Sequence, residues 1–141
     1  MTIITNNETE TEQVGAEFAK KLSSGTVVAM YGGLGVGKTA FVRGMAKGLG
    51  LDCRVSSPTF TIVNEYEGKK GALSLFHFDM YRLHDSAELF DIGWEDYLSR
   101  DGICVVEWSE TVEDAFDGSE TVVRITRLDS DRREITMEGV E

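Results

Sequence analysis

TVVAMYGGLGVGKTAFVRGMAKGLG, residues 26–50, passes from an apolar run through a glycine-rich turn into a segment of helical periodicity. Thr26 to Tyr31 is continuously apolar after its first residue, the pattern of a strand covered on both faces. Phe41, Met45 and Leu49 recur at i, i+4 and i+8, which predicts a helix with Gly50 as its C-terminal stop. Between them, Gly32 to Thr39 matches GxxxxGK(S/T) in full, flanked by the strand and helix that this motif requires. The glycines let the backbone turn tightly with its N–H groups inward. The helix N-terminus adds partial positive charge, so the loop favours phosphate oxygens. A glycine-rich turn ending in Lys-Thr by chance would have no reason to sit between these two elements. Nucleotide contacts are therefore expected at Gly33, Leu34, Gly35, Val36, Gly37, Lys38, Thr39 and Ala40. Lys38 is expected to reach the β and γ phosphates, and the Thr39 hydroxyl to serve Mg2+, a hard cation that keeps several of its waters.

Outward from this loop, the chain reads as alternating short elements. Thr2 to Thr5 is a short strand, and Asn7 with Glu10 three residues on is a helix cap of the capping-box kind. The helix that follows carries Val14, Phe18 and Leu22 on one face and has Gly25 just past its end. Beyond Ser56, Ser57 and Pro58, the segments Thr59 to Tyr66 and Ala72 to Asp79 are rich in β-branched and aromatic residues, with a hairpin turn expected over Glu67 to Gly71. Ser86 to Arg100 predicts one or two short helices, and Ile103 to Trp108 another buried strand. Thr121 to Leu128 and Glu134 to Val140 pair as a second hairpin around Asp129 to Arg133. The expected fold is α/β: one P-loop NTPase-like domain over residues 1–141, in three layers, with a mixed parallel and antiparallel central sheet. Strand order does not follow from the pattern.

Composition narrows the function. A chain of 141 residues with 41% hydrophobic content can fold as one ordinary domain without disulfides or a structural metal. Cys53 and Cys104 show neither CxxC spacing nor a histidine cluster, so reduced thiols and a cytoplasmic location are expected. Met1 to Glu12 lacks the basic and apolar regions of a signal peptide, and no apolar stretch approaches the roughly 20 residues that span a bilayer. The formal charge of −11 opposes direct tight binding to a nucleic-acid backbone.

Two apolar strands end in a carboxylate, at Asp79 and at Glu107, where a metal-holding acid would face the phosphate loop. One is expected to hold Mg2+ and the other to orient an attacking water or complete the metal shell, and spacing alone does not rank them. His77 shares a strand face with Asp79 and is read as packed and hydrogen-bonded. Trp94 and Trp108 are read as packing aromatics, Trp108 having in addition the option of stacking on a base. Arg124, Arg127, Arg132 and Arg133 lie in or beside the last hairpin, where a solvated face is expected. A small-molecule kinase on the same loop would normally add an acceptor site and an arginine-rich lid, yet only Arg82 and Arg100 occur between Asp79 and Gly118. A non-catalytic nucleotide-dependent binding module is the other alternative. Guanine recognition would normally show Asn-Lys-x-Asp after a late strand, and the sequence has none, which favours adenine.

Several blocks in order resemble the TsaE (YjeE) family, over roughly Val14 to Glu110. They are the phosphate loop continued through Lys38 to Gly44, SPTF (57–60) with Thr61, VNEY (63–66), HFDMYRL (77–83), ELFDIGWEDYL (88–98) and VEWSE (106–110). Where members of that family often carry an acid after the first loop glycine, this chain has Gly33. The resemblance implies a switch-like loop at Ser57 to Thr61, Asp79 as the Walker-B acid, and Glu107 with Trp108 as a second switch. Thr39, Asp79 and Glu107 are then the Mg2+ neighbourhood; Lys38, Asp79 and Glu107 are the catalytic residues; Trp108 joins the nucleotide contacts. It further implies an ATP hydrolase, slow alone, that works with TsaD and TsaB to make N6-threonylcarbamoyladenosine at position 37 of tRNA and meets tRNA only through that complex.

Overall fold

In the computed structural model, residues 1–33, 36–51, 55, 63–68, 72–80 and 83–139 are described. Leu34, Gly35, Cys53, the Ser57 to Thr61 loop, Tyr81, Arg82 and Val140 lie outside them, as does the middle of the predicted turn after Tyr66.

The first half of the chain runs β1 (Thr2–Thr5), α1 (Glu8–Ala19), β2 (Val27–Tyr31), α2 (Lys38–Gly48), β3 (Val63–Tyr66) and β4 (Ser74–Asp79). The second half runs α3 (Ser86–Asp91), α4 (Trp94–Ser99), β5 (Gly102–Glu107), a 3-10 segment (Ser109–Ala115), β6 (Thr121–Arg127) and β7 (Arg133–Glu138). One seven-stranded sheet has the order β1-β7-β6-β2-β5-β4-β3. Its centre, β6-β2-β5-β4, is parallel, while β3, β7 and β1 are added antiparallel at the two sides. This is the mixed α/β sheet that the sequence predicts, and its order places β2 and β5 side by side.

Three layers follow from the side-chain alternation of the central strands. Along β5, Ile103 and Val105 pack into a core with Phe18, Phe41 and Met45 of α1 and α2. Cys104 and Val106, pointing to the opposite face, join a second core with Leu89 and Trp94 of α3 and α4. A strand buried on both faces has no polar alternation, which is why ICVVEW (103–108) reads as a continuous apolar run.

Asn7 caps α1 as expected, its side chain accepting from the Glu10 backbone N–H. The returning arm differs by one residue: the Glu10 carboxylate accepts from the Asn6 N–H at 2.8 Å instead of from Asn7. The helix also stops before Leu22, because Lys21 and Leu22 donate to Phe18 and Ala19 in tight i to i−3 turns.

Helices α1 and α2 meet backbone to backbone through glycine. A Cβ on Gly44 would lie 2.0 Å from the Glu12 carbonyl oxygen, and one on Gly15 would lie 2.3 Å from that of Phe41. Across the seam, Arg43 donates to Glu8 at 2.8 Å and Lys47 to Glu12 at 2.6 Å. The bond from Lys47, with Arg43 close by, holds the Glu12 carboxyl below the usual carboxylate range. Exposed pairs of this kind contribute little, so close backbone contact does most to pin α2. In an exposed helix Gly→Ala gains up to about 1 kcal/mol of propensity, whereas overpacking costs about 1–3 kcal/mol. Gly44→Ala is therefore expected to lower the urea midpoint with an unchanged m-value, and a midpoint raised by the substitution would refute the close-contact account of this seam.

Candidate functional site

The parallel strands β2, β4 and β5 deliver Tyr31, Asp79 and Glu107 to the same, C-terminal edge of the sheet, where open α/β sheets bind ligands. The glycine-rich loop follows β2 directly, and α2 begins at Lys38. Gly37, the residue before the helix, has φ of 100°, a left-handed conformation that glycine adopts without a Cβ penalty. Asp79 and Glu107 are register partners on adjacent strands, so the two predicted acids stand side by side.

Lys38 is almost wholly buried, at 6% exposure. Its ammonium donates to the Gly32 carbonyl at 2.8 Å, lies 3.9 Å from Glu107 Oε1 and sits 4.0 Å from the centroid of the Trp108 ring. Burial pushes the ammonium below the ordinary lysine value, against the pull of Glu107, Asp79 and Glu110. Trp108 is thus a partner of the lysine, and the route to it is unusual. Among the described residues it is the only one besides glycine with positive φ, at 58°. Such a conformation costs on the order of 1–3 kcal/mol and concentrates at functional sites. It turns the chain directly after Glu107 into the 3-10 segment, whose first residue, Ser109, donates from its buried hydroxyl to the Val106 carbonyl.

A cavity of about 500 Å³ opens in front of the loop. That is within the size range of small-molecule sites. Val36, Gly37, Lys38, Thr39 and Ala40 line it along one side, with Glu107 beside them. Asp79, half-buried, is the register partner of Glu107 and is not part of this lining, and Trp108 reaches the site through Lys38. Asn7, Glu8 and Thr11 at the start of α1, and Ser130, Asp131 and Arg133 at the β6–β7 turn, form the far walls.

Two residues do more here than their sequence context indicates. Arg133, expected on a solvated face, donates from Nε to the Val36 carbonyl at 2.9 Å and from Nη1 to the Asp129 carbonyl at 2.9 Å. The turn that aims it is held by Asp129, whose carboxylate accepts from the backbone and side chain of Arg132 and is pulled down to about 2. No local signal marks Arg133, because its role arises from β6 lying next to β2. His77 is packed and hydrogen-bonded as expected, and its partner is Glu107. The only hint in the sequence is its place two residues before Asp79, on the same strand face.

Among the described residues no group of three or more His, Cys, Asp or Glu forms a cage for a metal. Of the three residues expected around a metal, Thr39 and Glu107 line the cavity, and Asp79 adjoins Glu107 as its register partner.

The sequence profile of a family described as Threonylcarbamoyl adenosine biosynthesis protein TsaE matches residues 5–135. The chain belongs to the TsaE family. It is 40% identical over 136 residues to the tRNA threonylcarbamoyladenosine biosynthesis protein TsaE of Bacillus subtilis, covering 96% of this chain and 84% of the relative. To the protein of the same name from Treponema pallidum it is 36% identical over 137 residues, covering 97% and 99%. A crystal structure of Bacillus subtilis YdiB superposes with a TM-score of 0.81 at 34% identity, over 97% of this chain and 83% of that one. The fold is thus shared over nearly the whole chain.

Arg133 ties that turn to the phosphate loop. In Arg133→Ala, amide exchange at the first turn of α2 is expected to rise about tenfold, matching the loss of a charge-assisted hydrogen bond of about 1.5 kcal/mol, while β5 exchanges as before. Identical exchange in both proteins would show that the contact does not hold the loop.

Proposed function

We propose that this chain binds ATP with Mg2+ and hydrolyses it as the accessory ATPase of tRNA threonylcarbamoyladenosine biosynthesis, acting in a cytoplasmic complex with TsaD and TsaB. Membership in the TsaE family assigns it to that biosynthesis. The observation that carries the ATPase reading is the meeting of a complete phosphate-loop motif at the N-terminus of α2 with two register-paired carboxylates on β4 and β5. Backbone N–H groups and the helix end favour phosphate oxygens there. Lys38, a basic side chain turned in between the loop and Glu107, supplies a cation whose present acceptor, the Gly32 carbonyl, is neutral and so yields to a phosphate oxygen.

The Thr39 hydroxyl with Asp79 and Glu107 would hold Mg2+, which neutralises charge on the phosphates when bound. Glu107, buried with one oxygen toward the cavity, is placed to orient water for attack. Among the described residues, the arginines near the site face neutral carbonyls or the α1 acids: Arg133 holds Val36, and Arg43 holds Glu8 and Glu12. Slow turnover alone follows, with partner proteins completing or ordering the site. The net charge of −11 supports contact with tRNA through those partners and not through this chain.

The test is phosphate release from ATP by the purified chain, alone and with TsaB and TsaD, together with ATP-dependent co-purification of the three. Turnover stimulated by the complex is expected; phosphoryl transfer to a metabolite would instead make the protein a kinase. Lys38→Ala is expected to stay folded and lose ATP binding, as read by calorimetric titration, and unchanged affinity in the folded variant would remove the proposal. Glu107→Ala is expected to keep binding within about threefold and lose turnover by 100-fold or more, on the order of one well-placed polar catalytic group. Full hydrolysis in that variant would reassign the residue.

A further inference from the structure

Glu107 is 4% exposed and His77 is fully buried. They lie on neighbouring parallel strands, where His77 is the register partner of Val105 and Asp79 that of Glu107, so both project on one face of the sheet. His77 Nε2 is hydrogen-bonded to Glu107 Oε2. The other oxygen, Oε1, faces the Lys38 ammonium at 3.9 Å, outside hydrogen-bonding range. The two oxygens of one carboxylate therefore have separate neighbours, a strand histidine behind and the phosphate-loop lysine in front.

We propose that His77 is a positioning residue: by holding Oε2 it fixes the Glu107 carboxylate with Oε1 toward the phosphate-loop cavity. This rests on the reading of Glu107 as the carboxylate that acts on metal or water, and adds the group that orients it. A buried carboxylate needs a donor to offset its lost water, and a glutamate with three rotatable bonds holds one rotamer only if something fixes its end. Outer hydrogen bonds of this type set the direction of a functional carboxylate. The pairing assigns the ring's tautomer. A carboxylate oxygen accepts, so Nε2 carries the hydrogen, while Nδ1 is buried with no hydrogen-bond partner among the described residues. A buried lone pair without a partner is tolerated better than a buried N–H without one, which agrees with Nε2 as the donor to Glu107.

The bland alternative is that His77 merely fills space between the layers, and two polar substitutions separate the readings. Counted along the side chain, the amide nitrogen of glutamine lies as many bonds from Cα as Nε2 of histidine, and that of asparagine one bond fewer. His77→Gln thus retains a donor at the reach of Glu107, and His77→Asn does not. With ATP, Mg2+ and the partner complex, His77→Gln is expected to turn over within about threefold of the wild type. His77→Asn is expected to fall roughly 10–100-fold, the usual loss for such an outer partner, with ATP affinity in both variants within about threefold of wild type. Equal turnover in the two variants, at any level, overturns the proposal.

A second readout needs neither nucleotide nor metal. The chain has two histidines, His77 and His84, so imidazole 15N spectra are assignable with a His84→Gln variant. The expected signature is an exchange-protected hydrogen on Nε2 of His77 that loses its protection in Glu107→Ala. Hydrogen on Nδ1 instead, or protection indifferent to Glu107, refutes the pairing even where His77→Asn does not fold. A wild type that hydrolyses no ATP but shows the Nε2 signature would sink the ATPase proposal and leave the orienting bond standing.

Discussion

An ammonium group is strongly hydrated, and taking it out of water is costly unless other dipoles and charges replace the solvent. Lys38 is held in that situation, under cover at the mouth of α2, by the Gly32 carbonyl, the face of Trp108 and the nearby carboxylate of Glu107. Its burial pushes its protonation equilibrium down, and the three acids around it push back. Much of the surrounding structure serves to keep this group in place. Glycine at position 37 permits the turn into the helix, the glycine seam with α1 pins the helix from behind, and Arg133 ties the loop to a distant hairpin. Trp108 adopts a strained backbone conformation at the point where β5 ends and its ring covers the lysine.

The elements that carry this arrangement are legible in the sequence where their signals are local. Strands β2 and β5 are covered on both faces, so their sequences read as mainly apolar runs, and the caps at Asn7 and Gly50 lie where the expected helices begin and end. Family resemblance read from blocks such as HFDMYRL and VEWSE agrees with the full-length similarity to TsaE proteins. What depends on tertiary order was out of reach. Arg133 meets Val36, 97 residues away in sequence, only because β6 is inserted next to β2. The same holds for His77, which is 30 residues from Glu107 and becomes its partner when β4 and β5 align in register. The early end of α1 is of another kind: short-range competition between turn and helix hydrogen bonds decides it, and the hydrophobic period is blind to it.

The site is electrostatically balanced at close quarters in a chain that is acidic as a whole. Lys38, Arg43 and Arg133 border the cavity together with Glu8, Glu107 and Asp131. Cations near the loop suit a polyphosphate, while the carboxylates suit a divalent cation that travels with it. The net charge of −11 over the whole chain disfavours direct capture of a nucleic-acid backbone.

The central claim is that the Lys38 ammonium exchanges its backbone carbonyl for the phosphates of a nucleotide. A crystal structure of the chain with Mg2+ and a non-hydrolysable ATP analogue measures this directly. The account predicts β and γ phosphates in the loop, the ammonium moved from Gly32 onto their oxygens, and Thr39, Asp79 and Glu107 around the metal. A nucleotide bound elsewhere, with Lys38 still on the Gly32 carbonyl, would contradict it.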